Sequence, residues 1–170
     1  VMPNKPDYVY VSDITYTKSR EKTHYLSLVT DAYSRKIVGY KLSDDMSAEN
    51  VVKAFTMAVK TRKNKDLLID HSDRGLQYCF SVYQNALVKN NVIPSMTDGY
   101  DCYQNALAER INGILKQEFL IYKCNNGIEL KQLIKESINT YNNKRPHLSL
   151  DMKTPNFVHN KKPVKLTLLV

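Results

Sequence analysis

Three carboxylates stand out because of where they fall in the predicted elements of the chain. Asp13 lies inside a predicted strand, although strands usually exclude Asp. Asp73 follows a predicted parallel strand, at the edge where open α/β sheets bind ligands. Glu109 lies on the polar side of a predicted helix. Three converging carboxylates can hold two hard divalent cations about 4 Å apart, and such a pair supports in-line displacement at phosphorus.

The helix that carries Glu109 is predicted over residues 101–119. At about 100° per residue, one side forms an apolar stripe of Leu107, Ile111, Ile114 and Leu115. The opposite side carries, within about 60°, a polar row of Asn105, Glu109, Asn112 and Lys116. This row stacks one acid among two amides and a lysine, which suits a metal ion beside a phosphate. Glu118 competes for the acidic role, but it falls on the apolar stripe.

The remaining elements must bring the three acids together. Strand-like composition or apolar runs predict strands at 8–16, 25–30, 36–42, 67–70 and 91–94. Helical spacing predicts helices at 47–60, 77–89, 101–119 and 129–141, the first with Ser47 as N-cap. A flexible loop is expected at 95–101. The order implies an α/β fold with a five-stranded mixed sheet, three strands antiparallel and two parallel, and helices on both faces. Residues 1–150 form the core, and residues 151–170 form a basic C-terminal tail.

Composition points to an anionic partner. The chain has 170 residues, a net charge of +8 and 42% apolar residues, enough for one domain with a sizeable core. Five of the eight net charges lie in residues 144–170, which are either a solvated end or a contact for phosphates. Three widely spaced cysteines favour a reduced, cytoplasmic protein, and neither a signal peptide nor a membrane span is visible.

Several polar residues have a structural interpretation beside the functional one. Asn105 is a metal neighbour or a helix cap, and Asn112 is a site residue or a polar surface residue. Tyr103 stacks on a base or covers the adjoining loop. Arg145 contacts DNA or ends the last helix. Asp31, in an Asp-x-x-Ser-Arg turn, is assigned to turn chemistry. Asp70 and His71 are assigned structural roles beside Asp73.

Four blocks of sequence resemble the catalytic core of the DDE transposases of insertion-sequence family three, relatives of the retroviral integrases. They are Ser12-Asp-Ile-Thr-Tyr16, His71-Ser-Asp-Arg-Gly75, Asn105-Ala-Leu-Ala-Glu-Arg110 continuing to Leu115-Lys-Gln-Glu118, and Tyr141-Asn-x-x-Arg-Pro-His147. The family's acidic triad maps onto Asp13, Asp73 and Glu109. The last two acids are separated by 35 residues, as in the family. Gln104 and Tyr10 depart from the family pattern, which often has an acid and a Trp there.

The resemblance implies a ribonuclease-H-like fold with two Mg²⁺ or Mn²⁺ ions held by Asp13, Asp73 and Glu109. It implies 3′-end cleavage and strand transfer on transposon ends and target DNA, with Lys116 near the DNA end. It also implies a homo-oligomer assembled on DNA in the bacterial cytosol. The family's N-terminal helix-turn-helix region has no counterpart in this sequence. Two alternatives remain: a ribonuclease-H-like nuclease that only hydrolyses, and a basic DNA-binding or assembly domain without catalysis.

Overall fold

A computed structural model describes residues 2–63, 65–96, 102–119 and 123–161, except for the side chains of residues 102–105. Its strands are β1 Val9–Lys18, β2 Thr23–Asp31, β3 Ile37–Ser43, β4 Leu68–Ser72 and β5 Val92–Met96. Its helices are α1 Ala48–Thr61, α2 Leu76–Cys79, α3 Ser81–Lys89, α4 Cys102–Gln117, α5 Gly127–Asn143 and α6 Pro155–Asn160, with a 3-10 turn at Leu148–Leu150.

The five strands form one mixed sheet in the order β3-β2-β1-β4-β5. The β1, β2 and β3 strands pair antiparallel, whereas β4 and β5 join β1 in parallel. The predicted fold class is therefore confirmed. The central position of β1 explains its apolar composition, because both of its faces are covered by helices at its N-terminal end.

Alternating residues of β1 face two separate cores. Val9 and Val11 pack with the apolar stripe of α4 and with Leu130 and Ile134 of α5. Tyr10 packs on the other face with helices α1 and α3. Gly39 of β3 lies so close to α1 that a Cβ there would collide with the carbonyl oxygen of Ala54.

The single helix predicted over 77–89 is wrong, because the chain breaks at Phe80 into α2 and α3. Tyr78 and Tyr83 are five residues apart, so a continuous helix would point them about 140° apart. The break lets both rings enter one core, where their centroids lie 5.1 Å apart in an edge-to-face contact. Packing of the two aromatic rings thus overrides helical continuity.

Residues 147–161 fold back onto the domain. Thr154 caps α6 by accepting a hydrogen bond from the Phe157 N–H, and Pro155 occupies the first turn. His159 lies near two buried carboxylates, with Nε2 3.4 Å from Asp7 and Nδ1 3.8 Å from Asp31. Of the predicted tail at 151–170, residues 162–170 lie outside the described part of the chain. The predicted loop at 95–101 is described only at Ser95 and Met96, which belong to β5.

Candidate active site

The parallel pairing of β1 with β4 brings the first two acids side by side. The ladder runs from Val9↔Ile69 to Ser12↔Ser72. Asp13 directly follows Ser12, and Asp73 directly follows Ser72, so both acids lie just beyond the last pair of the ladder. Their proximity therefore follows from the register of two central strands.

A tight turn after β4 holds Asp73. Its Oδ1 accepts a hydrogen bond of 2.8 Å from the Gly75 N–H. A Cβ at Gly75 would lie 2.9 Å from the same oxygen, so a larger residue would displace the carboxylate. This role of Gly75 was not predicted, although the position of the glycine two residues after the acid is a signal in the sequence.

Helix α4 brings Glu109 to the same edge of the sheet. A cavity of about 220 Å³ is lined by all three acids, together with Val11, Ser12, His71, Ser72 and Ala108. Asp13 is half-buried at its floor, whereas Asp73 and Glu109 are exposed. The buried stripe of α4 packs on the sheet, which turns the opposite, polar row toward the cavity.

The polar row of α4 makes two direct contacts with β1. Asn112 Nδ2 donates a hydrogen bond of 2.7 Å to Asp13 Oδ2, and Lys116 Nζ donates one of 2.8 Å to Thr15 Oγ1. Lys116 Nζ also lies 4.8 Å from the ring centroid of Tyr16. Asn112 Oδ1 is buried and has no hydrogen-bond partner among the described residues. These contacts fix α4 over the first acid.

The cavity concentrates negative charge. Burial raises the pKa of Asp13, the Asn112 hydrogen bond lowers it, and the charges of Asp73 and Glu109 raise it further. Three carboxylates and an unused amide oxygen form an all-oxygen set of donors, which fits a hard cation such as Mg²⁺. A bound cation would relieve the repulsion that the three acids exert on one another.

The spacing of the acids differs from that of a single-ion site. Among the described residues, one group of Asp, Glu, His or Cys has ligand atoms all within 4.8 Å of one another, and it is Asp7, Asp31 and His159. That group is held by internal hydrogen bonds, since Asp7 accepts from Tyr10 and Asp31 accepts from the Ser34 N–H and hydroxyl. The acids of the cavity are therefore spread more widely, which a pair of ions allows.

A buried hydrogen-bond network supports the floor of the site. Ser12 Oγ donates to Asp70 Oδ1 at 2.7 Å, and the Tyr83 hydroxyl donates to Asp70 Oδ2 at 2.6 Å. Burial raises the pKa of Asp70 to about 6, although both hydrogen bonds lower it. The structural role predicted for Asp70 agrees with these contacts, but its partner Tyr83 carried no sequence signal.

Three other residues were predicted to contact DNA. Arg145 is engaged in an ion pair, and the side chains of Asn105 and Tyr103 are not described. Arg145 Nε and Nη2 each donate at 2.6 Å to a different oxygen of Glu118. Glu118 was expected on the apolar stripe, but α4 ends at Gln117, so Glu118 lies exposed in a turn and reaches Arg145. Asn105 and Tyr103 belong to the first turn of α4, and their side chains lie outside the described part of the structure. DNA binding by these residues stays a prediction.

Comparison with known families matches nearly all of this architecture. Residues 3–102 match a family described as integrase core domain, and residues 90–155 match a second family of the same description. None of the helices in the described ranges has the length and apolar character needed to span a bilayer.

Curated relatives come from bacterial insertion sequences. The chain is 37% identical over 155 residues to the insertion element IS600 uncharacterized 31 kDa protein of Shigella sonnei, covering 90% of this chain and 57% of that protein. It is 38% identical over 113 residues to transposase InsF for insertion sequence IS3A of Escherichia coli, covering 66% of this chain and 39% of that protein. The chain thus spans about half the length of the curated relatives it matches.

Among solved structures, the HTLV-2 integrase catalytic core domain in complex with magnesium has the same fold. The two superpose with a TM-score of 0.76 and 18% sequence identity, covering 93% of this chain and 99% of that chain. This similarity identifies the fold as that of the retroviral integrase cores, which is the predicted ribonuclease-H-like fold.

Proposed function

The chain belongs to the integrase core domain family, and on this premise we propose that it is the catalytic core of a transposase of insertion-sequence family three. Its reaction is metal-dependent cleavage of DNA 3′ ends followed by strand transfer into target DNA. Relatives named as transposases support this assignment. The chain covers only part of their length, so the activity of the whole protein belongs to the proposal.

One observation carries the proposal: Asp13, Asp73 and Glu109 line a single cavity at the edge of the sheet. Two of these acids come from neighbouring parallel strands, and the third comes from a helix more than thirty residues later. A purely structural use of three carboxylates in one cavity would be unfavourable, because their negative charges repel one another. Their arrangement is reasonable if a cation is bound there during the reaction.

The residues of the site divide the work between metal and DNA. We assign Asp13, Asp73 and Glu109 as ligands for two Mg²⁺ or Mn²⁺ ions. Such ions, when bound, activate the attacking oxygen and stabilise the leaving 3′-oxygen in phosphoryl transfer. Asn112 orients Asp13 through its hydrogen bond. Lys116, next along the same helix face, supplies a cation for a DNA phosphate once it leaves Thr15.

The partner of this site is DNA, as transposon end and as target. The net charge of +8 favours a polyanion and offsets the repulsion between DNA phosphates and the three acids. Joining two transposon ends requires at least two copies of the core, so we propose a homo-oligomer on DNA, acting in the bacterial cytosol. The binding affinity should fall steeply with salt concentration.

The first test is metal binding measured by calorimetry. Wild-type protein, Asp73→Asn and Asp151→Asn are titrated with Mg²⁺ and with Mn²⁺. We expect saturable binding to wild type and to Asp151→Asn, whose exposed acid is outside the site, and none to Asp73→Asn. Thermal unfolding of all three shows whether the substitution has disturbed the fold. If Asp73→Asn binds metal as the wild type does, the proposed metal site is wrong.

The second test separates joining from hydrolysis. The protein is incubated with Mn²⁺ and a branched DNA that mimics the product of strand transfer, and the DNA products are resolved by size. Resealed target DNA together with a released end identifies strand transfer, whereas cleavage without resealing identifies a nuclease. DNA binding with neither product, unchanged by metal and by Asp73→Asn, identifies a non-catalytic binding domain.

A further inference from the structure

A second cavity lies on the side of α4 away from the three acids. It has a volume of about 390 Å³ and is formed by the apolar stripe of α4, the end of α5 and the segment that follows α5. Its floor consists of apolar side chains, of which Leu107, Ile111 and Ile114 come from α4 and Tyr141 comes from α5. This volume lies in the range of small-ligand sites. The cavity is concave, whereas a protein–protein interface is typically a broad, flatter surface.

The fourth sequence block, Tyr141 to His147, builds one wall of this cavity. The Tyr141 hydroxyl donates a hydrogen bond of 2.8 Å to the Arg35 carbonyl, and the His147 ring meets Tyr141 edge-on at 5.0 Å. Arg145 forms an ion pair with Glu118, and this pair connects the end of α5 to the end of α4. None of the residues from Tyr141 to His147 has a role in the proposed metal-dependent chemistry. The contacts that shape this wall of the cavity therefore suggest a second role.

His147 is a largely buried residue that lines the cavity. The residue is only 4% exposed, and its Nε2 has no hydrogen-bond partner among the described residues. Burial, and after it the charges of Arg145, Arg110 and Arg35, lower the pKa of His147 to about 4. At neutral pH the imidazole is therefore uncharged, and His147 adds no charge to the cavity.

The rim of the cavity is positively charged. Arg110, exposed on α4, and Arg35, at the turn before β3, both line it. The nearby acid Glu118 already forms a two-point ion pair with Arg145. An apolar floor under a guanidinium rim fits a ligand that joins a flat apolar ring to an anionic group.

We propose that this cavity is a second nucleic-acid subsite, which accepts one nucleotide with its base on the apolar floor and its phosphate at the Arg110 rim. Charge complementarity favours a nucleotide, because the chain has a net charge of +8 and the guanidinium groups of Arg110 and Arg35 line the cavity. The inference rests on the proposed DNA function for its source: a nucleotide unstacked from bound DNA.

The test begins with mononucleotides, which need neither metal nor the carboxylates. ¹⁵N-labelled protein in EDTA is titrated with dAMP, deoxyadenosine and inorganic phosphate, and the His147 imidazole and backbone resonances are followed by NMR. We expect saturation by dAMP at concentrations at least about ten-fold below those needed for either part alone, a difference of about 1.4 kcal/mol in binding free energy. Equal binding of phosphate or of deoxyadenosine, or no saturation by dAMP, would overturn the proposal.

Two variants and their controls locate the binding. Arg110→Gln removes the rim charge and should weaken dAMP binding about ten-fold, whereas Lys135→Gln removes a charge on the exposed face of α5 and should leave it unchanged. Ala106→Trp fills the exposed mouth of the cavity and should abolish binding, whereas Lys135→Trp should not. Equal effects at Lys135 would refute the location. Asp73→Asn should still bind dAMP.

A DNA arm distinguishes a bound free nucleotide from a nucleotide within DNA. A duplex carrying an unpaired 2-aminopurine is added to wild type and to Ala106→Trp. We expect a fluorescence change that saturates with wild type and is lost with Ala106→Trp, while anisotropy reports DNA binding by both. If dAMP saturates but DNA gives no such change, the DNA source is wrong. Tighter binding of an acetylated Glu-Trp dipeptide than of dAMP would assign the cavity to a protein partner instead.

The outcomes of these tests are independent of the joining assay. If dAMP binds but no DNA is joined or cleaved, the subsite stands as a nucleotide site and the proposed transposase function fails. If DNA is joined but dAMP does not bind, the transposase function stands and the second subsite fails.

Discussion

The buried carboxylate of Asp70 should make stability depend on pH in a direction opposite to that of most acids. Asp70 is 1% exposed beneath the candidate site, and burial raises its pKa from the ordinary value of 3.8 to about 6. One pKa unit corresponds to 1.36 kcal/mol, so the ionised form costs the folded state about 3 kcal/mol. Asp70→Asn removes this titration and leaves a polar group of the same shape between Ser12 and Tyr83.

The sign of the effect follows from the two pKa values. Below pH 3.8 the carboxyl is protonated in both folded and unfolded chains, and no penalty exists. Between pH 3.8 and about 6 the unfolded chain loses its proton first, so the stability of the wild type falls as pH rises. Above pH 6 the penalty is complete. We therefore expect the unfolding free energy of wild type minus that of Asp70→Asn to fall by about 2.4 kcal/mol from pH 4 to pH 7, since a small part of the penalty is already present at pH 4.

The assay is urea unfolding followed by circular dichroism at pH 4, 5, 6 and 7, with EDTA to exclude metal. Taking the difference between the two proteins cancels the other titrating groups. Asp45→Asn is the matched control, because hydrogen bonds from Ser47 lower the pKa of Asp45, which is exposed. The difference for that pair should rise with pH. A wild-type minus Asp70→Asn difference that is constant within about 1 kcal/mol would refute the reasoning for Asp70.

Four further substitutions have definite expected outcomes. In calorimetric scans with EDTA, Asp13→Asn should raise the melting temperature by about 2–4 °C per kcal/mol of relieved repulsion, and a lower melting temperature would contradict this. In separate scans with Mg²⁺, the same substitution should abolish the stabilisation that the ion gives to the wild type. Gly39→Ala should destabilise the fold by about 3 kcal/mol in urea, because its Cβ collides with α1. Gly113→Ala, where a Cβ meets none of the described atoms within 4 Å, should stabilise α4 by about 1 kcal/mol, and equal effects at the two glycines would be inconsistent with the packing. Glu118→Gln should cost about 0.2–1 kcal/mol, less in high salt, since its pair with Arg145 is partly exposed; a loss of several kcal/mol would show a larger structural role.

The elements that carry the three acids were predictable because their patterns are strong. The alternation in β1 and the apolar stripe of α4 each follow one period over several residues, and both elements form within two residues of the predicted bounds at the site. The β1–β4 pairing then determines how close Asp13 and Asp73 lie, and α4 packs Glu109 over them. The catalytic role of these residues remains a prediction.

The contacts that were not predicted from the sequence are those that depend on tertiary structure. Tyr83 reaches Asp70 from another element, and the break at Phe80 that allows this has no Pro or Gly to announce it. Pro155 begins α6, and His159 of that helix reaches toward Asp31 from 128 residues along the chain. His159 and Asp31 are too far apart in sequence to fall within one local window. Hydrophobic periodicity and secondary-structure propensity, which are both local, therefore could not indicate their contact.

The β1–β4 register has a consequence for the geometry of catalysis. Adjacent strands of any sheet lie about 4.8 Å apart, and the proposed ligands Asp13 and Asp73 stand at equivalent positions just past the last ladder pair. The spacing between their main chains is thus inherited from peptide hydrogen bonding, and it is close to the roughly 4 Å that separates the ions of a two-metal centre. A slip of one residue would send one carboxylate to the opposite face of the sheet. Correct pairing of β1 with β4 during folding is therefore required for the proposed metal site to form.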